Sequence, residues 1–438
     1  GNLAAGIRAY RYDGTADSIV TGERVSITTK GNYASGLLVD TEGTGGSEMA
    51  GASIQLADSH IHTEGLWAHG AHAIGAANGG TNRIVLEGGS ITTANARGKG
   101  SQDGDGSRAY ALFAEKAGAE IEARNVTIST VGQRAYGAYA LNGGSIILDG
   151  GSIDTQGFMA YGIYASGEGS KITASNLTIT TSGQVGDAAW AYAGGVLDLD
   201  GVNIHVTGEP NPREPHEMAN GLVALGGTDS ASAGVIHARN VTILTEGNNS
   251  AGLLIGADVG ATRTSGEVHI ADSSVTVTGE HSVAAWLSYG SSLEAEGSTL
   301  ISDKGAGIVL SESAAVNLVD VTVKAAEESI RSTLSLAGQV QEITIGAGSD
   351  LTENNGTLIV VTRTEEGTDG QVILTLQEGS TSRGDIIDLG DKSAGGSMTV
   401  YLREGADWKG IVQGVDNFVS SPGGRSEFED GSKIAGDL

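Results

Sequence analysis

The chain has 438 residues, including 70 glycines, 4 prolines and no cysteine, and its 53 acidic against 25 basic side chains give a formal charge of -28. The absence of cysteine excludes a disulfide framework, and no apolar run approaches the roughly 18 residues that a membrane-spanning helix needs. The acidic excess makes the Coulomb interaction with nucleic acid or an anionic membrane repulsive, so neither is an expected partner. A high like charge also keeps a long chain soluble, and this alone accounts for the composition; attraction to a basic patch on a partner is the sharper alternative.

The chain opens at Gly1-Asn2-Leu3-Ala4, with no basic and apolar leader. The expectation is that any secretory signal has been removed. From Ala34 onward one phrase recurs. It is clearest at Ala109 to Thr130, at Ala135 to Ile153, and from Ala160-Tyr161-Gly162-Ile163-Tyr164 through Lys171-Ile172-Thr173-Ala174 to Asn176-Leu177-Thr178-Ile179-Thr180. A Gly/Ala-centred cluster leads to a short strand, a polar turn and a second strand. Such self-similarity predicts a solenoid, and strand-only phrases predict a β-solenoid. Aromatic residues are only 4% of the chain, so a narrow core of Val, Ile, Leu and Ala layers is expected.

Aligning the phrases by the turn residue before the last strand places His60, Ser90, Asn125, Ser152, Asn176, Asn203, Asn240, Ser274, Thr299 and Asp320 in one column. Side chains of this kind bond to local backbone and tolerate turn geometry, so the column is read as structural. The following strand alternates, with Val126, Leu177, Val241, Val275 and Val321 on one face. Thr127, Thr178, Thr242, Thr276 and Thr322 take the other, interrupted by His62, Asp154 and His205. Period-2 alternation predicts one buried face. The threonine stripe fits simple β-propensity, and Thr127, Thr178, Thr242 and Thr276 are also a candidate self-association surface. The preceding strand supplies Ile121, Ile146, Ile172, Leu197, Ile236, Val268 and Leu293. The prediction is an all-β, single-stranded parallel β-helix with three short strands per coil and protruding loops. Residues 1–360 form coils with inserted loops, and residues 361–438 form the C-terminal coils and cap.

Spacing is about 25 residues from Ala111 to Gly137 to Gly162 and longer elsewhere. The excess collects at 41–49, 96–107, 208–218, 227–234 and 256–266. Insertions in a solenoid map to loops on particular faces, often the binding face. The candidate binding residues are therefore Arg97, Lys99, Asp103 and Asp105 in one loop, Glu209, Arg213, Glu214, His216 and Glu217 in a second, and Arg263 in a third. The second holds three of the four prolines, which favours a projecting loop of preferred shape.

Several short motifs fail on spacing. Counted from Asp103, a calcium loop needs glycine at its sixth and glutamate at its twelfth position, and these are Arg108 and Ala114. His60 and His62 share a strand face without a third ligand nearby in sequence, so no metal or other cofactor is expected. A polysaccharide-cleaving β-helix would need two carboxylates at a defined separation. Asp198 and Asp200 come nearest, in the regular part of a coil, and the motifs of pectin hydrolases are absent; the chain is read as no enzyme. Arg383-Gly384-Asp385 spells an integrin-type tripeptide whose flanks read as a turn entering a strand.

The C-terminal coils carry a resemblance. Leu374-Thr375-Leu376-Gln377-Glu378-Gly379-Ser380 followed by Gly384-Asp385-Ile386, and Val400-Tyr401-Leu402-Arg403-Glu404-Gly405-Ala406 leading into Trp408-Lys409-Gly410, are similar to late coils of bacterial autotransporter passenger domains of the pertactin-like and related adhesin type. The resemblance implies a right-handed parallel β-helix exported to the bacterial surface, or secreted, and here separated from its translocator barrel. It also implies an adhesin for host extracellular-matrix proteins, of the fibronectin kind, or for glycosaminoglycans. Self-association in aggregation or biofilm, and capture of a soluble host complement regulator, are the alternatives from the same family. Sulfated glycans would be repelled by the net charge unless Arg97, Lys99, Arg213 and Arg263 cluster.

Overall fold

The computed structural model of the chain describes residues 4–11, 17–41, 51–76, 80–94, 108–211, 218–227, 232–259 and 262–434. Its contacts divide the chain into two units, Gly1–His237 and Ala238–Leu438.

Each coil contributes one strand to each of three parallel sheets. A representative coil of the first unit runs Ala138–Leu141, Ser145–Asp149, Ser152–Thr155, and the next runs Ile163–Ser166, Lys171–Ser175, Thr178–Thr181. They pair in register, with Ala138 opposite Ile163, Ile146 opposite Ile172, and Ile153 opposite Ile179. The first sheet of this unit proceeds through Ala71–Ile74, Leu112–Glu115, Ala138–Leu141, Ile163–Ser166, Ala189–Tyr192 and Leu222–Leu225. This is the parallel β-helix that the repeated phrase predicts.

The core explains the Gly/Ala cluster of each phrase. The third sheet points a column of isoleucines inward: Ile61, Ile91, Ile128, Ile153 and Ile179, all almost fully buried. Each such side chain contributes about 1.5–3 kcal/mol by leaving water. The same column presses on the first sheet. A Cβ built on Gly137 would lie 2.3 Å from Ile153 Cγ2, and one on Gly162 would lie 2.4 Å from Ile179 Cγ2. Small residues on one wall thus make room for the branched residues of another. Inward threonines close the corner: Thr63, Thr130 and Thr155 donate their hydroxyls to the carbonyls of Ala68, Ala135 and Ala160 at 2.7, 2.7 and 3.0 Å.

The corner before the third sheet corrects the sequence alignment. Arg24, Asp58, Gly88, Asn125, Gly150, Asn176 and Gly201 occupy one column of the first unit, each with φ between 46° and 67°. This left-handed backbone is what Asn, Asp and Gly tolerate. His60, Ser90, Thr127, Ser152, Thr178 and Asn203 form a separate row two residues further on, at the start of the third-sheet strands. The single predicted column merges the two. In the second unit the same slip moves Thr276, which pairs with Leu244 and Ile301, while Thr242 pairs with Ser274. Val275 likewise sits with Ile243 and Leu300. The predicted stripe therefore splits into two rows, and Asp154, Thr180 and His205 belong to the second.

The second unit repeats the plan, with first-sheet strands including Val283–Ser288, Ile308–Ser311, Ile330–Leu334 and Thr357–Arg363. Ala257–Val259 and Thr262–Thr264 pair antiparallel as a hairpin arm. Among the described residues the one helical element is a 3-10 turn at Glu365–Gly367. Near the C-terminus Trp408 is fully buried, donates its indole N–H to the Gly384 carbonyl at 3.1 Å, and packs against Phe418 and Phe428. Arg363 pairs with Asp388, both side chains fully buried, and Lys392 joins Asp388 to Asp416.

Candidate functional site: an aromatic and arginine face on the first sheet

The chain has 4 tryptophans, 11 tyrosines and 4 phenylalanines. Ten of these aromatic residues gather in the first unit, against the outer side of the first sheet and its leading corner, rather than in the core. The inward positions of that sheet are small, such as Ala71, Ala73, Ala138, Ala140, Ala189 and Ala191, so the residues between them point outward. Register then stacks His72, Phe113, Tyr139, Tyr164 and Trp190 in one column. Three residues upstream in each phrase, His69, Tyr110, Tyr136 and Tyr161 form a second column.

The stacking follows from the coil repeat of about 4.8 Å, which is close to the preferred separation of offset-stacked rings. Tyr139 and Tyr164 lie 4.8 Å apart at 5°, Tyr136 and Tyr161 4.8 Å apart at 11°, and Tyr110 and Tyr136 4.9 Å apart at 13°. Across the two columns the rings meet edge to face, as at Tyr136 and Tyr139, 5.6 Å apart at 87°. Each such pair contributes about 0.5–1.5 kcal/mol beyond its buried area. Mutual contact buries Tyr110, Phe113 and Tyr161, while Tyr136, Tyr139, Tyr164, Trp190 and Tyr192 stay half-buried. Burial pushes the Tyr110 phenol up to about 12 and raises those of Tyr136, Tyr139, Tyr161 and Tyr164 as well.

Polar groups end the columns. At one end His69 accepts the Tyr110 N–H at Nδ1, 3.1 Å, which fixes its neutral tautomer. Burial, and then the neighbouring His72, hold its pKa well below 6.5. His72 Nε2 stands 3.5 Å from Glu115 Oε2, too far for a good hydrogen bond. At the other end the phrase places Asp187 where the next tyrosine would stand. Its Oδ1 accepts the backbone N–H and side-chain amide of Asn220 at 2.7 and 2.9 Å. Burial outweighs these bonds and raises the carboxyl to about 7. Trp190 leans over the step, 4.6 Å from Tyr161 and 5.5 Å from Tyr164. Its indole N–H is buried with no acceptor among the described residues.

Beside the columns runs a ridge at the corner leading into the first sheet. Tyr33, Trp67, Arg108, Arg134, Met159 and Val185 hold positive φ there. Tyr33 stacks on Trp67 at 6.4 Å, and the Arg108 guanidinium lies 5.0 Å from the Trp67 ring centre. Arg134 reaches Met159 Sδ at 3.6 Å. Arg108 and Arg134 are consecutive along the ridge, since the Arg108 N–H bonds to the carbonyl of Gln133. Both are half-buried, and among the described residues no carboxylate pairs with either.

The predicted site residues fare differently. Arg97, Lys99, Asp103, Asp105, Arg213, Glu214, His216 and Glu217 lie outside the described residues. Glu209 is exposed, and its carbonyl accepts the Val185 N–H at 3.1 Å. Arg263 stands exposed on the hairpin arm with its guanidinium 5.7 Å from the Tyr289 ring. Thr127, Thr178 and Thr242 are exposed, and Thr276 is half-buried. Asp198 and Asp200 do share the outer face of one strand, but Asp198 is engaged by Lys171 at 2.6 Å and His237 at 2.9 Å. Although burial opposes it, the hydrogen bonds from Lys171 and His237 hold the Asp198 carboxyl below its usual range. Arg383 pairs with Asp407 at 3.0 Å and Asp385 accepts the Ile411 N–H at 2.9 Å, so the Arg-Gly-Asp sequence is built into the coil. His60 bonds to Ser90 and His62 to Glu64, and no cluster of metal-ligating side chains occurs among the described residues. Among those residues no helix is long and apolar enough to cross a membrane.

No family model matches the chain. It is similar to the BrkA autotransporter of Bordetella pertussis (strain Tohama I), at 22% identity over 329 residues, covering 73% of this chain and 29% of that protein. The match thus spans under a third of the relative's length. Among solved structures, a chain of the cryo-EM structure of the Vag8-C1 inhibitor complex superposes with a TM-score of 0.49 at 16% identity, over 98% of this chain and 100% of that one.

Proposed function

We propose that the chain is a pertactin-like autotransporter passenger domain and a cell-surface or secreted adhesin that holds a host extracellular-matrix protein against the outer side of its first sheet. The observation that supports this reading is the gathering of half-buried Tyr139, Tyr164, Trp190 and Tyr192 on one outer face of an otherwise acidic, aromatic-poor chain. Tyr, Trp and Arg are the residues on which protein interfaces concentrate their energy, because they bring large contact area with few rotatable bonds. The passenger acts by binding, not by catalysis. Protein is the favoured matrix class, since sulfated glycan meets a net charge of -28.

The test is a binding screen of the purified chain against fibronectin-type matrix proteins, heparin fragments and serum proteins. Tyr139→Ala combined with Trp190→Ala should weaken the captured matrix protein at least about tenfold, as for hot-spot residues. Unfolding must stay cooperative in the variant. Binding that survives this change and disappears on deletion of residues 96–107 or 208–218 would move the interface to the loops. Capture of serum proteins alone, or dimerisation without a host partner, would replace the adhesin reading.

A further inference from the structure

We infer that Arg108 and Arg134 form an oxyanion-binding notch on the aromatic face, and that its ligand is a carboxylate side chain of a partner protein with an apolar residue beside it. This deepens the adhesin reading and rests on it for the partner's origin. The chain holds 53 acidic residues against 25 basic ones, so an arginine without a carboxylate is at a disadvantage in finding isolation here. The arginines of the neighbouring second sheet show the usual outcome: Arg83 and Arg124 both pair with Glu122, and Arg124 also reaches Glu87 at 3.3 Å. Arg108 and Arg134 do not pair in this way with any described carboxylate.

The two residues follow one another along the ridge, so their Cα atoms are separated by about one coil repeat of 4.8 Å. Side chains that start one repeat apart bring two positive charges to the same patch of the ridge, and an oxyanion that contacts both lowers their mutual repulsion. The guanidinium fork suits a carboxylate in a bidentate pair, and partial burial strengthens the contact. Trp67 lies under Arg108, Tyr33 stacks on Trp67 with 54% of its surface exposed, and Met159 contacts Arg134. These surfaces accept an apolar side chain next to the acid. A sulfated glycan offers charge without that apolar neighbour, and its many further charges meet the acidic chain.

The experiment uses the intact chain and three probes: a fluorescein-labelled peptide containing Asp-Phe-Asp, the same peptide with Asn-Phe-Asn, and a heparin tetrasaccharide. Anisotropy should show binding of the acidic peptide and at least about tenfold weaker binding of the amide peptide. R108Q combined with R134Q should lose the preference for acid, whereas R108K with R134K should keep part of it, because charge remains and the fork is lost. A thermal melt and far-ultraviolet spectrum equal to those of the unchanged chain show that the fold is intact. Equal binding of both peptides, an unchanged affinity in the glutamine variant, or preference for the tetrasaccharide would overturn the inference. A matrix protein whose binding ignores R108Q/R134Q would leave the adhesin reading standing without the notch. Peptide binding that depends on both arginines, with no matrix protein captured, would do the reverse.

Discussion

Asp187 shows how one residue can set a pH response. Its carboxyl is buried, carries the two bonds from Asn220, and titrates near 7 in the folded chain against about 3.9 when unfolded. The folded state therefore binds the proton more tightly. Its contribution is most favourable below about pH 4 and is lost as pH rises through 7, where the folded chain must bury a charge. The same aspartate cannot simply be read as a destabilised core residue, because asparagine would keep both acceptor bonds without the charge. Asp187→Asn is expected to stabilise the first unit by about 2–3 kcal/mol at pH 8 relative to pH 5, an interval set by linkage at about 1.36 kcal/mol for each pKa unit. Denaturant melts of both proteins at the two pH values check this, and the difference between them removes the other titrating groups. Identical pH profiles would mean that solvent or a rearranged side chain already neutralises the site. Tyr161, next in the column, has its phenol raised by burial first and by Asp187 among the charges, so its ultraviolet titration should shift in the variant as well.

At the scale of the strand and its turn, the repeated phrase is a packing rule. Gly162 sits where a Cβ would meet Ala188 O and Ile179 Cγ2, both at 2.4 Å. Backbone on one side and a fully buried branched side chain on the other leave little room to yield. Gly162→Ala is expected to cost about 1–3 kcal/mol by overpacking. Adding Ile179→Val should recover part of that loss, and pairwise melts measure the coupling. This rule was readable in the sequence: inward Val, Ile and Leu, polar turns and Gly/Ala clusters repeat with the strand period. Register was less readable. The left-handed corner residues Asn125 and Asn176 and the strand-opening residues Ser90 and Ser152 come from the same polar set. A slip of two residues preserves which face is buried, so the hydrophobic pattern cannot detect it. That is why the sequence pattern aligns Thr276 with Thr242, although it lies a row away. The aromatic face was missed for a related reason. The pairs Tyr136/Tyr139 and Tyr161/Tyr164 stand three apart in successive phrases, a signal present in the chain. Read singly they are sparse aromatics; only coil-on-coil register turns them into stacked columns. Arg108 and Arg134 carry no mark in the sequence, since what distinguishes them is that no carboxylate among the described residues pairs with either.

Across the whole molecule the net charge of -28 and the arginine notch act at different ranges, and salt separates them. The Debye length is about 30 Å at 0.01 M ionic strength and about 8 Å at 0.15 M. At the lower value an approaching acidic peptide feels many of the chain's carboxylates, and their sum is repulsive. At the higher value distant charges are screened while a guanidinium contact of a few ångströms persists. Affinity for the Asp-Phe-Asp peptide should therefore rise between about 0.01 and 0.15 M salt, then fall above roughly 0.5 M as the contact pairs are screened in turn. An ordinary basic site on a near-neutral protein would lose affinity from the first addition of salt. In the R108Q/R134Q variant the maximum should vanish, leaving a weak affinity that only rises as repulsion is screened. Anisotropy titrations across this salt series distinguish the cases. A monotonic fall from the lowest salt would place the peptide on a surface whose wider field is positive, which neither the composition nor the ridge supplies, and would therefore remove Arg108 and Arg134 as its anchor.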